Sequence, residues 1–412
     1  GEPMEYRKKH GICYASLGGA FPAGAVPVRH PSAPLVILIR RDPLYSRGFW
    51  AIDDLGQLTE PEGPAALLPQ PTPADAPQDL QDFVKGHGAA VLNTAFPRGY
   101  EFAETWFAPR PTRLRLTLVG LGDVGGTLLT ALKLLGREIE SIQIFDYNEN
   151  LCRRYLLELS QVLPLEPGAA QPAIRLCRED QLFDCDLFLF TASKGVPPVG
   201  QEQGDVRMAQ YEANSRLIAS YARRARAARF QGLFCEISDP VDLLARAVYL
   251  ESNRGEAGHY DWQGLLPEQI QGFGLGVMAA RALYYAEDMG LDLSRLRAYG
   301  PHGEGLVVVN DPDEGYDEAL SQRLTTLAKE ANLRVRELGF KPYIAPALSS
   351  AAVSILQLIR GQYHYGAVPL GSAYFGCRSR FTPLGLQVQR EQLHPDLQER
   401  LEAAYRALQE VR

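Results

Sequence analysis

Residues 114–146 read LRLTLVGLGDVGGTLLTALKLLGREIESIQIFD, and no other stretch narrows the possible folds as far. Leu114, Leu116 and Leu118 alternate onto one face, as in a half-buried strand. A glycine-rich turn follows. TLLTALKLLG then carries apolar residues at helical spacing up to Gly136, a helix-ending glycine, and SIQIFD is a second strand closing on Asp146. Strand, helix and strand in so short a span form a βαβ unit, which burial and handedness rules assign to a parallel sheet.

The turn places Gly120, Gly122 and Gly125 in the G-x-G-x-x-G spacing. The first glycine makes the tight turn, the second lets backbone approach a pyrophosphate, and the third lets the helix pack on the strand. The helix start then offers partial positive charge to phosphates. Asp146, at the end of the second strand, can accept hydrogen bonds from ribose hydroxyls and would repel a 2′-phosphate, which favours NAD over NADP. The plainer alternative is a glycine turn beside a strand-end aspartate.

Composition sets the surroundings. A chain of 412 residues with 46% apolar and 22% charged residues can bury a large core and accommodate two or three domains. Net charge is −7, and the one basic run, RRARAAR at 223–229, reads as a solvated helix face, so no nucleic-acid partner is expected. No apolar run approaches the ~20 residues that span a bilayer, which points away from membranes and to a cytoplasmic location. Six scattered cysteines without a C-x-x-C pair read as reduced core residues, and the histidines lack metal-ligand spacing, so no metal is expected.

Fifteen of the 29 prolines fall in the first 111 residues, which suggests a separate N-terminal region at 1–111. LVILI (35–39) and GFWAI (48–52) within it read as strands, and APRPT (108–112) as a linker. The expected division is then 112–258 for dinucleotide binding and 259–412 for a substrate domain. The C-terminal stretch LHPDLQERLEAAYRALQEVR has apolar residues at helical spacing and reads as a docking helix.

YGPHGEG (299–305) is a loop by its three glycines and proline, and it holds His302, one of only seven histidines. It is the last of an ordered series: GLGDVGG, TASKGVPP (191–198), GQEQGDVRMAQYEAN (200–214), ISDPVDLL (237–244), GFGLGVMAAR (272–281) and YGPHGEG. In order and spacing this series, over roughly residues 113–410, resembles the lactate/malate dehydrogenase family. The resemblance implies an α/β architecture: a Rossmann-type doubly wound parallel sheet, a C-terminal α+β substrate domain and a small N-terminal β-containing region.

It also implies roles. His302 matches the histidine that exchanges a proton with the substrate, Arg207 the mobile-loop arginine that polarises the carbonyl, and Arg281 the arginine that grips the substrate carboxylate as a bidentate fork. Gln201 matches the discriminating loop position and is similar to lactate-type members; a neutral side chain there does not pair with a second carboxylate. Asn214 falls at a cofactor-side position. The implied activity is NAD-dependent oxidation or reduction of a small 2-hydroxy or 2-oxo acid. A homo-oligomer is implied by the same resemblance. The alternative is a catalytically altered relative that binds a dinucleotide or carboxylate ligand as a sensor or scaffold.

Two positions depart from the family pattern. Met278 stands where the family has the aspartate that partners the histidine, three residues before the carboxylate-binding arginine. Such a partner is worth about 4 kcal/mol of attraction at 4 Å in an effective dielectric of 20. Asp239 stands where the family has an asparagine. It is expected to lie within reach of His302 and to replace part of the missing charge.

Overall fold

A computed structural model describes residues 3–193 and 206–411. In chain order its strands are β1 (Tyr6–Lys9), β2 (Ile12–Ser16), β3 (Val26–Val28), β4 (Leu35–Ile39), β5 (Phe49–Ile52), β6 (Ala89–Asn93), β7 (Leu114–Val119), β8 (Ile139–Phe145) and β9 (Ala173–Leu176). They continue as β10 (Leu187–Phe190), β11 (Leu233–Glu236), β12 (Ile270–Gly272), β13 (Arg297–Tyr299), β14 (Val307–Val309), β15 (His364–Leu370), β16 (Ala373–Thr382) and β17 (Gly385–Val388). The α-helices are α1 (Gln78–His87), α2 (Gly99–Phe107), α3 (Asp123–Leu135), α4 (Glu149–Leu159), α5 (Val206–Ala227), α6 (Val241–Ser252), α7 (Leu275–Glu287), α8 (Glu318–Glu337), α9 (Val353–Ile359) and α10 (Pro395–Glu410).

The α/β class expected from the sequence is what forms. Among the described residues, fifteen strands make one sheet in the order β3-β1-β2-β4-β6-β5-β17-β16-β15-β12-β11-β10-β7-β8-β9. Strands β12-β11-β10-β7-β8-β9 run parallel, with helices as crossovers, and β15 enters antiparallel to β12 at the Gly272–Ala367 pair. The predicted βαβ unit is β7-α3-β8. Its helix ends at Leu135 with Gly136 as the cap, as the glycine demands. Leu116 and Leu118 are fully buried, because a parallel strand covered on both faces has no wet side.

The first 111 residues build their own α/β layer. Strands β2, β4 and β6 are parallel, and β5 returns antiparallel to β6. This layer joins the rest edge to edge through β5 and β17, where Trp50 pairs with Leu386. The join is also a packed core, in which Phe49, Phe96 and Phe102 share one apolar cluster with Tyr249, Leu265, Leu266 and Tyr374.

Polar contacts close the same seam. The Gly48 and Phe49 N–H groups donate to the buried Glu268 carboxyl at 2.9 and 2.7 Å, and the Tyr249 hydroxyl donates to Pro43 O at 2.8 Å. Burial pushes the Glu268 carboxyl up to about 7, against the lowering effect of the Phe49 and Gly48 N–H groups and of Arg47. The C-terminal helix α10 docks through Leu397, Leu401, Ala404 and Tyr405 onto the cluster that includes Val368, Leu370 and Phe375.

Candidate active site

Three strand ends converge on the site. The carboxyl end of β7 carries the glycine turn, the carboxyl end of β11 carries Glu236 and the ISDPVD segment, and the loop after β13 carries His302. Carboxyl ends of parallel strands are where α/β sheets place their ligands, because the loops there are free of the ladder.

At the glycine turn, two of the three predicted glycines have a steric reason. Gly120 sits at φ +97°, in the left-handed region, and a Cβ there would meet Ala192 N and Thr191 Oγ1 at 2.7 Å. A Cβ on Gly125 would lie 1.8 Å from the Gly120 carbonyl oxygen, so helix α3 can only approach the turn without a side chain. Gly122 differs, since a Cβ on it would meet nothing within 4 Å, which leaves open space on the side that a pyrophosphate would use.

Asp146 holds the turn itself: Leu121 N donates to Oδ2 at 2.8 Å and Asn148 N to Oδ1 at 2.8 Å. Each carboxylate oxygen keeps further accepting capacity, so ribose hydroxyls can still be bound. One feature of the turn was missed from sequence. Asp123 opens α3 and places a carboxylate beside the helix start, where it competes with phosphate for the same partial charge, and the Lys341 ammonium stands 3.9 Å from it. The donor set as a whole fits a dinucleotide.

At the second group, Asp239 Oδ1 stands 3.3 Å from His302 Nδ1. The His302 side chain is 15% exposed and that of Asp239 46%. The histidine is held from two further directions. Its backbone N–H donates to Asp242 Oδ2 at 3.3 Å, and Gly274, the cap of α7, packs so close that a Cβ there would lie 2.7 Å from Nδ1. Asn214, fully buried on α5, donates from Nδ2 to the Asp239 carbonyl at 2.9 Å and so fixes the segment that aims Asp239. That positioning contact is an additional place for a residue expected on the cofactor side.

Met278 is buried on α7 with its sulfur 3.8 Å from Arg281 Nη1. Burial pulls the Arg281 guanidinium below its ordinary range, with Tyr285 and Asp239 acting in the opposite direction. Asp239 is thus the carboxylate whose field reaches both His302 and Arg281. Glu304 is solvated and pairs with Lys329 at 3.0 Å, so it faces away from the chemistry. Gln201 lies outside the described residues, as does the side chain of Arg207, whose backbone belongs to the first turn of α5.

Two acidic residues of the cluster, Glu236 and Asp242, were not singled out from sequence. The signal was there for the first: the alternation in LFCE puts Glu236 on the same strand face as the buried Phe234. His364 is a contrasting case. It sits buried, its imidazole pushed down to about 4 by desolvation, with Nδ1 3.1 Å from Gln362 O.

A Rossmann-type sheet with a glycine turn at one strand end and a histidine–carboxylate pair near another defines a dinucleotide-type fold. Comparisons with known proteins narrow the class. No protein-family model matches the chain. L-lactate dehydrogenase of Treponema denticola is 29% identical over 193 residues, 46% of this chain and 55% of the relative. L-lactate dehydrogenase 1 of Bacillus cereus is 27% identical over 256 residues, 61% of this chain and 73% of the relative. Among the first relatives the chain spans about half of their length.

Solved structures share the fold. A lactate dehydrogenase from a Medee basin deep-sea metagenome library, MGS-M5, superposes with a TM-score of 0.57 at 17% identity over 72% of this chain and 97% of the other. The malate dehydrogenase from Archaeoglobus fulgidus, solved in complex with NADH, gives the same values. The sequence relatives and the fold together support a divergent member of the lactate/malate dehydrogenase family.

Proposed function

We propose that the chain is an NAD-dependent oxidoreductase of the lactate/malate dehydrogenase type acting on a small 2-hydroxy or 2-oxo acid. The observation that carries this reading is the 3.3 Å approach of Asp239 Oδ1 to His302 Nδ1, a carboxylate–imidazole pair where the family's own carboxylate position is methionine. A carboxylate 3.3 Å from Nδ1, outside hydrogen-bond geometry, favours the protonated ring through its charge, which leaves Nε2 to exchange the proton with the substrate oxygen. Arg281 binds the substrate carboxylate. Its partly desolvated guanidinium suits a bidentate anion better than a hydrated ammonium would.

The Gly120–Gly125 turn and the start of α3 would hold the pyrophosphate, and Asp146 the ribose; bound NAD supplies the hydride acceptor or donor. Arg207 as the carbonyl-polarising group and Gln201 as the neutral discriminator are carried by the family resemblance, and the latter favours a monocarboxylate. The test is to titrate NADH by its fluorescence and then screen 2-oxo acids for NADH oxidation. Saturable binding with turnover on a small 2-oxo monocarboxylate is expected. Binding without turnover on any acid would support the sensor reading instead, and no binding would defeat both.

A further inference from the structure

Glu236 ends strand β11, is fully buried, and neither of its carboxyl oxygens meets a hydrogen-bond partner. Its strand neighbours in register are Phe190 on β10 and Gly272 on β12, neither of which bears a charge. The charged groups that act on it come from the segment that follows. Asp239, three residues on, faces His302, and Asp242, in the first turn of α6, receives the His302 backbone N–H. Asn214, which holds the Asp239 carbonyl from α5, is neutral. EISDPVD therefore gathers three acids, two of which contact His302.

Three carboxylates cannot all stay ionised at such a place. Like charges in one site drive a proton onto one of them, and the group with least access to water takes it. Asp239 is about half exposed and Asp242 holds a backbone N–H, whereas Glu236 is fully buried and the nearby Ser238 N–H falls short of hydrogen-bond geometry.

We propose that Glu236 is a positioning residue that carries the proton of a Glu236–Asp239 acid pair, and so leaves Asp239 as the ionised carboxylate facing His302. Burial first, and then the negative fields of Asp239 and Asp242, hold the Glu236 carboxyl well above the usual range, offset only in part by the Ser238 N–H. Its value for catalysis rests on the oxidoreductase reading, but the protonation itself does not. At neutral pH Glu236 then adds no negative charge of its own to the cluster beside Asp239 and Asp242.

The test is infrared spectroscopy of the full chain, following the carboxylic-acid C=O band from pH 5 to 10. At pH 9 Glu268 has ionised, so a band that persists there and is absent from Glu236→Gln belongs to Glu236. In Asp239→Asn, which removes the largest like charge, the band should vanish at a lower pH than in the parent protein. These outcomes support the proposal whether or not any 2-oxo acid turns over. It is overturned if the parent protein shows no such band at pH 9, a result that needs no variant to fold, or if Asp239→Asn leaves the titration of the band unchanged.

Discussion

The turn at 120–125 and the segment at 236–242 both leave the carboxyl ends of parallel strands, yet they are built on different physics. The first is steric. Gly125 is required because a Cβ would sit 1.8 Å from a carbonyl oxygen, a contact that no neighbouring charge can relieve. The second is electrostatic. A carboxylate can serve His302 from more than one direction, so Met278 in the family position and Asp239 at 3.3 Å can coexist with a working imidazole. Steric requirements pin residue identity to position, while electrostatic ones pin only a charge to a region.

The largest effect should come from the steric side. Gly125→Ala forces helix α3 off the turn, with an expected loss of about 3 kcal/mol in stability and of NADH binding, measured by denaturant titration and fluorescence. If Gly125→Ala bound NADH normally, the contrast would fail. On the electrostatic side, His302→Gln should keep NADH binding and lower turnover about 10³-fold, the range for a lost general acid–base. Asp239→Asn should cost less, about 10²-fold. Adding Met278→Asp to that variant should restore part of the loss if the charge is what matters, whereas no gain in kcat would favour a role specific to the Asp239 position.

A smaller effect separates the site from the seam with the N-terminal layer. Glu268 has a folded-state value raised from 4.5 to about 7. A raised carboxyl value means that its stability contribution is complete below pH 4.5 and is lost as pH rises through about 7. Glu268→Gln should therefore abolish that fall, worth roughly 3 kcal/mol across the window, with little change at pH 4. Thermal melts at pH 5 and pH 8 would read it. Glu304→Gln, two residues from His302 in sequence but solvated, should change turnover less than about twofold.

Much of this was legible in the sequence where the signal is local. LVILI is β4 residue for residue, the helix of the βαβ unit stops at its glycine, and the turn glycines fall where their spacing says. The docking of the first 111 residues was not legible. It depends on Trp50 meeting Leu386 and on Gly48 and Phe49 meeting Glu268, pairs far apart in the chain that leave no periodicity behind. At the site, Asp239 could be placed near His302 because a motif order located both. Glu236 and Asp242 were passed over because an acid at a strand end or a helix start ordinarily reads as solvated, although Glu236 shares a strand face with Phe234 and is fully buried.

The central claim is that Asp239 supplies the charge His302 needs. The direct measurement is the titration of the His302 ring by NMR in histidine-labelled protein, parent against Asp239→Asn, with His302→Gln used to assign the signal. The account predicts a shift of the midpoint to lower pH in Asp239→Asn, because the imidazolium loses the anion at 3.3 Å. Superposable titration curves would contradict it.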